Sequence, residues 1–154
     1  MFTRGFMLDT SAINRIHDWR QCPWSLRGPL YVTDIQLQEI AQTRNPDRRT
    51  SLMAAFMSLR PTVVRPTSRV FDPEFFGFSS FCNDGFTLAD EHYGLSLGRV
   101  MPLIAASIGS RVEKHFPDAL IAEAALTSNL TLVTADRRLA KVGRSFGAHV
   151  EEIP

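Results

Sequence analysis

The sequence predicts an α/β domain built on a largely parallel sheet of about five strands. Two observations carry this expectation. Strand-like runs stand at residues 5–9, 29–33, 62–66, 130–134 and 148–152, and helix-like segments separate them. Strands that alternate with helices call for crossover connections, and crossovers pair strands in parallel. The 154 residues fit one domain over 1–154, large enough to bury a single core.

Taken in order, "GFMLD" (5–9) reads as a buried strand, and Thr10 to Asp18 as a helix with Ile13 and Ile16 on one face. "QCPWSLRG" reads as a loop and "PLYVT" (29–33) as a second buried strand. Ile35, Leu37, Ile40 and Ala41 mark a helix from Asp34 that ends near "RNPD", punctuated by Pro46. Leu52, Phe56 and Leu59 recur at helical spacing over 47–59, and "TVVRP" (62–66) is the third strand, closed by Pro66. Residues 67–87 differ: Phe71, Phe75, Phe76, Phe78, Phe81 and Phe86 stand among turn residues, which reads as an insertion or lid. The other reading of these aromatics is a partner surface or a platform for stacking bases. A mostly helical stretch (88–115) follows, with breaks expected at Gly94, Gly98 and Pro102. After Pro117, "DALIAEAALTS" is an amphipathic helix, "LTLVT" (130–134) a strand, "DRRLAKVGRSF" a short helix and "AHVEE" the last strand.

Hydrophobic content of 44% and charged content of 21% are those of an ordinary globular protein. No apolar run approaches the roughly 20 residues that span a bilayer, and Asp9 interrupts an N-terminal stretch already too short for a secretory signal. The expected location is therefore the cytoplasm, with no membrane partner. Cys22 and Cys82 lack a CxxC partner, so two half-buried thiols are expected rather than a disulfide framework or a zinc site. Only Lys114 and Lys141 of the 17 basic residues are lysines. Arginine's planar fork suits phosphate, but a net charge of +1 neither demands nor excludes a nucleic-acid partner.

In open α/β sheets, sites form outside the carboxyl ends of the strands, so acids there are the ones to weigh. Asp9 closes the first strand, Asp136 lies two residues beyond "LTLVT", Asp118 opens the helix leading into that strand, and Glu39 follows the second strand. Each has a structural alternative. Asp9 and Asp118 suit helix caps, Asp136 a turn, and Glu39 a solvated helix face.

Together these pieces resemble a PIN domain, the metal-dependent nuclease fold of many bacterial toxins. The resemblance rests on "MLDTSAI", "VTDIQLQEI" and "DALIAEAALTSNLTLVTADRRL", and covers roughly residues 5–44 and 116–153. Asp9 with Ser11 matches the strand-end Asp and its hydroxyl two residues on, and Thr33 to Glu39 matches the second acid. Asp118 before "ALIAEAAL" matches the third, and Thr134 with Asp136 in "TAD" the fourth. Gln36 departs from the pattern, standing where Thr is common.

The resemblance implies a three-layer α/β/α sandwich and a Mg2+- or Mn2+-dependent endoribonuclease acting on single-stranded or structured RNA. It further implies a cognate antitoxin as partner and self-association as a homodimer. Clustered carboxylates repel and partly protonate unless a cation neutralises them, and magnesium takes oxygen ligands while keeping several waters. On this reading Asp9 and Asp118 are direct ligands, Asp136 completes the site, and Glu39 ligates or orients the attacking water. Ser11 and Thr134 support the carboxylates, while Arg15, Arg137 and Arg138 stand where they can meet RNA phosphates or remain solvated.

Rival enzymes fit poorly. A receiver domain needs an acidic pair near the first strand, a dehalogenase-type phosphatase needs Asp at position 11 where Ser stands, and neither GxSxG nor GxxxxGK[ST] occurs. Asp90, Glu91 and His92 are adjacent and face different ways on a helix, which reads as a solvated patch. The remaining alternative is a PIN-like RNA- or protein-binding module with little or no catalysis.

Overall fold

The structure is a computed structural model that describes residues 4–65 and 100–154. Strand β1 (Phe6–Leu8) leads into helix α1 (Thr10–Trp19) and a 3-10 turn (Pro23–Leu26). Strand β2 (Leu30–Val32) is followed by α2 (Asp34–Ala41), α3 (Pro46–Leu59) and the two-residue strand β3 (Thr62–Val63). The second part comprises α4 (Val100–Ile108), a 3-10 turn (Val112–His115), α5 (Phe116–Thr127), β4 (Thr131–Thr134), α6 (Arg137–Ser145) and β5 (His149–Glu152).

The five strands form one sheet in the order β3-β2-β1-β4-β5, and every pairing is parallel. Helices cover both faces, giving the three-layer α/β/α arrangement that the sequence led one to expect. Alternating side chains divide the core in two. Met7 and Leu132 point to the face where Ile104, Ile121, Leu139 and the alanines of α5 pack. Phe6, Leu8 and Val133 point to the other, against Ile13 and Ile16 of α1 and Leu52 and Phe56 of α3. A parallel sheet buried on both faces needs such continuous apolar runs, and Met7, Leu8 and Leu132 are fully enclosed. Helix α5 is apolar nearly all round because Ala119 to Ala125 are all buried.

Several boundaries differ from expectation for local reasons. The expected loop at 21–28 holds the 3-10 turn, and Trp24 within it is buried, its Nε1 donating to Glu151 Oε1 at 2.8 Å. Pro102 lies inside α4, which is described from Val100 onward and runs through it to Ile108. Pro117 sits inside the first turn of α5, which begins two residues before Asp118. The third strand shrinks to Thr62–Val63, both exposed at the sheet edge. Cys22 is half-buried, as expected. The Phe-rich insertion, Cys82 and the Asp90–Glu91–His92 patch lie outside the described residues. No helix among the described residues is long and apolar enough to cross a membrane.

Topology places the site. The chain runs from β1 outward through β2 to β3, then returns to β4 on the opposite side of β1. Strand order reverses between β1 and β4, and their carboxyl ends open onto one crevice.

Candidate functional site

Asp9 leaves the end of β1 with extended backbone (φ −77°, ψ 173°) and caps α1. Its Oδ1 accepts from Ala12 N at 2.7 Å, as a capping Asp does. The Ser11 hydroxyl straddles its two oxygens at 2.7 and 2.9 Å, and Thr134 Oγ1 donates to Oδ2 at 2.6 Å. Both hydroxyls are themselves fed by the backbone just beyond β4. Ala135 N donates to Ser11 Oγ at 2.8 Å and Asp136 N to Thr134 Oγ1 at 3.0 Å. The result is a pair of amide–hydroxyl–carboxylate chains, in which each bond polarises the next. They cross from β4 to β1 at the point where strand order reverses. Each Asp9 oxygen thus faces two donors, the Ser11 hydroxyl serving both, and the carboxylate is held in one orientation.

Glu39 is brought toward this point by α2, which begins at a reciprocal cap. Thr33 Oγ1 accepts from Ile35 N, while Gln36 Oε1 accepts from Thr33 N at 2.8 Å and from the Thr33 hydroxyl at 2.6 Å. Gln36 also donates through Nε2 to Leu8 O at 2.7 Å, tying the end of β1 to the start of α2. Glu39 Oε2 accepts a hydrogen bond from the Thr10 hydroxyl, so the residue directly after Asp9 fixes the second acid. Asp136 caps α6, accepting from Arg138 N at 2.7 Å and Leu139 N at 3.2 Å.

Asp118 lies in the first turn of α5 but is no cap: the cap position belongs to His115, without a side-chain bond. No hydrogen bond reaches its carboxyl among the described residues. Burial, then the charges of Glu39, Asp9 and Asp136, push its pKa up to about 7. Burial also raises Asp9, against the pull of Thr134, Ser11 and Ala12, with Asp136 raising it further. Glu39 is raised by burial, held back by Thr10 and raised again by Asp9. The four acids named from the sequence are thus within electrostatic reach of one another. Ser11 and Thr134 support Asp9 as the resemblance implied.

The donor set is all oxygen and all acidic, the chemistry that suits a hard divalent cation. Among the described residues no basic side chain forms an ion pair with any of the four acids; the ion pairs described go to Asp18, Glu151 and Glu152. Nor is any group of three or more His, Cys, Asp or Glu side chains among the described residues set to hold a metal ion directly. Magnesium commonly takes only one or two carboxylates directly and fills its shell with water, so the residues fit such an ion.

Of the three arginines, Arg15 borders a groove beside Asp136, Arg138 is exposed, and Arg137 is turned toward Glu152 at 3.8 Å with its side chain 91% exposed. Sequence reasoning gave Thr10 no role and took Gln36 only as a departure from the family pattern. Thr10 stands directly after Asp9, where its hydroxyl was legible but its distant partner was not. Gln36 was legible as the last residue of the Thr-x-x-Gln capping pattern.

No protein-family model matches this chain, and no curated protein matches it. Among solved structures it is similar to a domain of a functionally unknown protein from Methanocaldococcus jannaschii, with a TM-score of 0.53 and 11% identity. That similarity covers 98% of this chain and 91% of the other, and at this identity it speaks to the fold alone.

Proposed function

We propose that this protein is a metal-dependent endoribonuclease of the PIN type, acting on RNA in the manner of a type II toxin. The observation that carries the reading is the gathering of Asp9, Glu39, Asp118 and Asp136 at the carboxyl ends of parallel strands. There burial first, and then the charges of the other three, push the Asp118 pKa up to about 7, with no ion-paired basic side chain on any of the four among the described residues. A cluster of this kind is electrostatically costly, and a cation offsets that cost.

Asp9 and Asp118 would hold Mg2+ or Mn2+, with Asp136 completing the site. When bound, such an ion supplies a nucleophile from water at neutral pH and neutralises charge on phosphoryl oxygens. The chain's own residues do the rest. Glu39, fixed by Thr10, accepts a proton from the attacking water and orients it along the line of displacement. Ser11 and Thr134 keep the Asp9 carboxylate in one orientation. Arg15 stands beside Asp136, where it can meet a substrate phosphate. An antitoxin covering the acidic crevice and a homodimer are further expectations of the same reading, as is a cytoplasmic location.

The test is cleavage of a mixed single-stranded RNA pool, with Mg2+ or Mn2+, by wild type and Asp9→Asn side by side. Metal-dependent cutting by wild type, reduced about 100-fold or more in the variant, is the expected result. The second reading, a PIN-like binding module, draws on the lack of a directly ligating triad among the described residues. It predicts a folded wild type that neither cuts RNA nor gains stability from either ion.

A further inference from the structure

Two grooves lie along α1 and meet at Asp18. The first, of about 470 Å3, runs between α1 and the turn after β4, bordered by Ser11, Asn14, Arg15 and Asp136. It therefore begins at the acid cluster itself. The second, of about 690 Å3, continues between the last turns of α1 and the body of α3, bordered by Arg20, Gln21, Ser51 and Ser58. Asp18 borders both.

At their junction, Arg48 reaches across from the first turn of α3. Its Nη2 donates to Asn14 Oδ1 at 2.9 Å, and its Nη1 lies 3.6 Å from Asp18 Oδ1. Asn14 is anchored in turn, its Nδ2 donating to Thr10 O at 2.9 Å. Asp18 also meets His17 Nδ1 at 3.1 Å, and His17 Nε2 lies 2.6 Å from Ser51 Oγ on α3. The hydrogen bond from His17 holds the Asp18 carboxyl below its ordinary range, with the charges of Arg48 and Arg15 acting the same way. The carboxylate is thus a fixed brace between α1 and α3. Arg15, Arg20 and Arg48 against Asp18 and Asp136 leave one positive charge in excess along the path.

We infer that these two grooves form one track for single-stranded RNA, carrying the strand away from the acid cluster along α1 with its phosphates on Arg15, Arg48 and Arg20. The inference rests on the proposed ribonuclease reading and gives it a direction: the strand leaves past Asp136, over the Asn14–Arg48 bridge, toward Ser51. Guanidiniums meet phosphate oxygens in a fork, and the small polar groups Asn14, Gln21, Ser51 and Ser58 offer hydrogen bonds without fixing sequence. Arg48 is braced before any ligand arrives, which lowers the entropy lost on binding.

Fluorescence anisotropy with a short 5′-fluorescein-labelled single-stranded RNA, in EDTA so that nothing is cut, tests this directly. Arg15→Ala, Arg20→Ala and Arg48→Ala are each expected to weaken binding about 3- to 10-fold, and to lower the slope of log affinity against log salt by about 0.7 per lost phosphate. Arg144→Ala, which removes a guanidinium paired with Glu152 on the far end of α6, is the control expected to match wild type. Arg48→Lys keeps the charge while losing the fork, and should keep most of the salt slope; a loss equal to that of Arg48→Ala with intact folding overturns the phosphate role of Arg48. Wild type that binds no RNA, or track variants indistinguishable from Arg144→Ala, overturns the track. Cleavage by wild type at normal rate with unaltered binding in all three variants would refute the track and leave the nuclease standing. Salt-dependent binding through the three arginines, with no cutting in Mg2+ or Mn2+, would refute the nuclease and leave the track.

Discussion

Replacing Asp118 by Asn should stabilise the metal-free protein at high pH while abolishing its response to divalent cations. Asp118 is ordinarily a pKa 3.8 carboxyl, raised to about 7 by burial and by Glu39, Asp9 and Asp136. Folding therefore favours its protonated form. The stability this represents is fully present below pH 3.8, and is lost as pH rises toward and through about 7. The difference between those values, at about 1.36 kcal/mol per pH unit, corresponds to about 4 kcal/mol when the group is fully ionised. Asp118 is only partly enclosed, and solvent screens some of that repulsion. A gain of about 1–2 kcal/mol is expected for Asp118→Asn at pH 8, falling to somewhat under half of that at pH 5, where only the unfolded chain has given up the proton, and vanishing below pH 3.8.

The assay is urea unfolding of both proteins in EDTA at pH 5 and pH 8, repeated at pH 8 with Mn2+. Wild type should be the less stable of the two at pH 8 without metal, and should recover or overtake the variant when metal is added. A variant equally or less stable than wild type at both pH values would show that the cluster imposes no charge cost. A metal response of the same size in both would remove Asp118 from the binding set.

Further outcomes follow from the supporting bonds. Gln36→Leu strands the buried Thr33 N–H and Leu8 carbonyl, so a loss of about 2–3 kcal/mol in chemical unfolding is expected, with a weaker metal response because β1 and α2 are no longer tied. Thr134→Val removes one donor to Asp9 and the acceptor for Asp136 N; it should cost about 1–3 kcal/mol and move the Asp9 carboxyl upward, so that metal binding requires higher pH, measurable by calorimetry across a pH series. Leu132→Ala, at a fully enclosed position on the α5 face, should lower stability by about 2–5 kcal/mol while leaving metal affinity of the folded fraction unchanged.

Asp9, Glu39 and Asp136 were legible because each follows a strand-like run, and in a parallel sheet all such runs end on one edge, whereas Asp118 was legible only as the acid opening the helix that leads into the fourth strand. What the sequence displays poorly is partnership over distance. Glu39 read equally well as a solvated helix residue, since its partner Thr10 is 29 positions away. Trp24 sits in a segment with no periodic signal and is buried by its contacts with other segments, not by a local pattern. Pro117 misled in the other direction: it was read as standing just before its helix, yet it occupies the first turn, where the helix asks nothing of its nitrogen. The Thr62–Val63 strand was read too long because Val64 continues the apolar run, while only two residues find a partner on β2.

The position of β1 between β2 and β4 has a consequence for the order in which the protein is made. Asp9 and Glu39 leave the ribosome early, but the hydroxyl and amides that orient Asp9 belong to residues 134–136. A nascent chain that has reached α3 can pair β1 with β2 and β3, yet the side of β1 that will receive β4 stays empty. The charged cluster is therefore assembled only once residues 118–136 have followed β1 and α2 out of the ribosome. Until then Asp118 and Asp136 stay apart from Asp9 and Glu39, and the part of the chain already made is spared their repulsion.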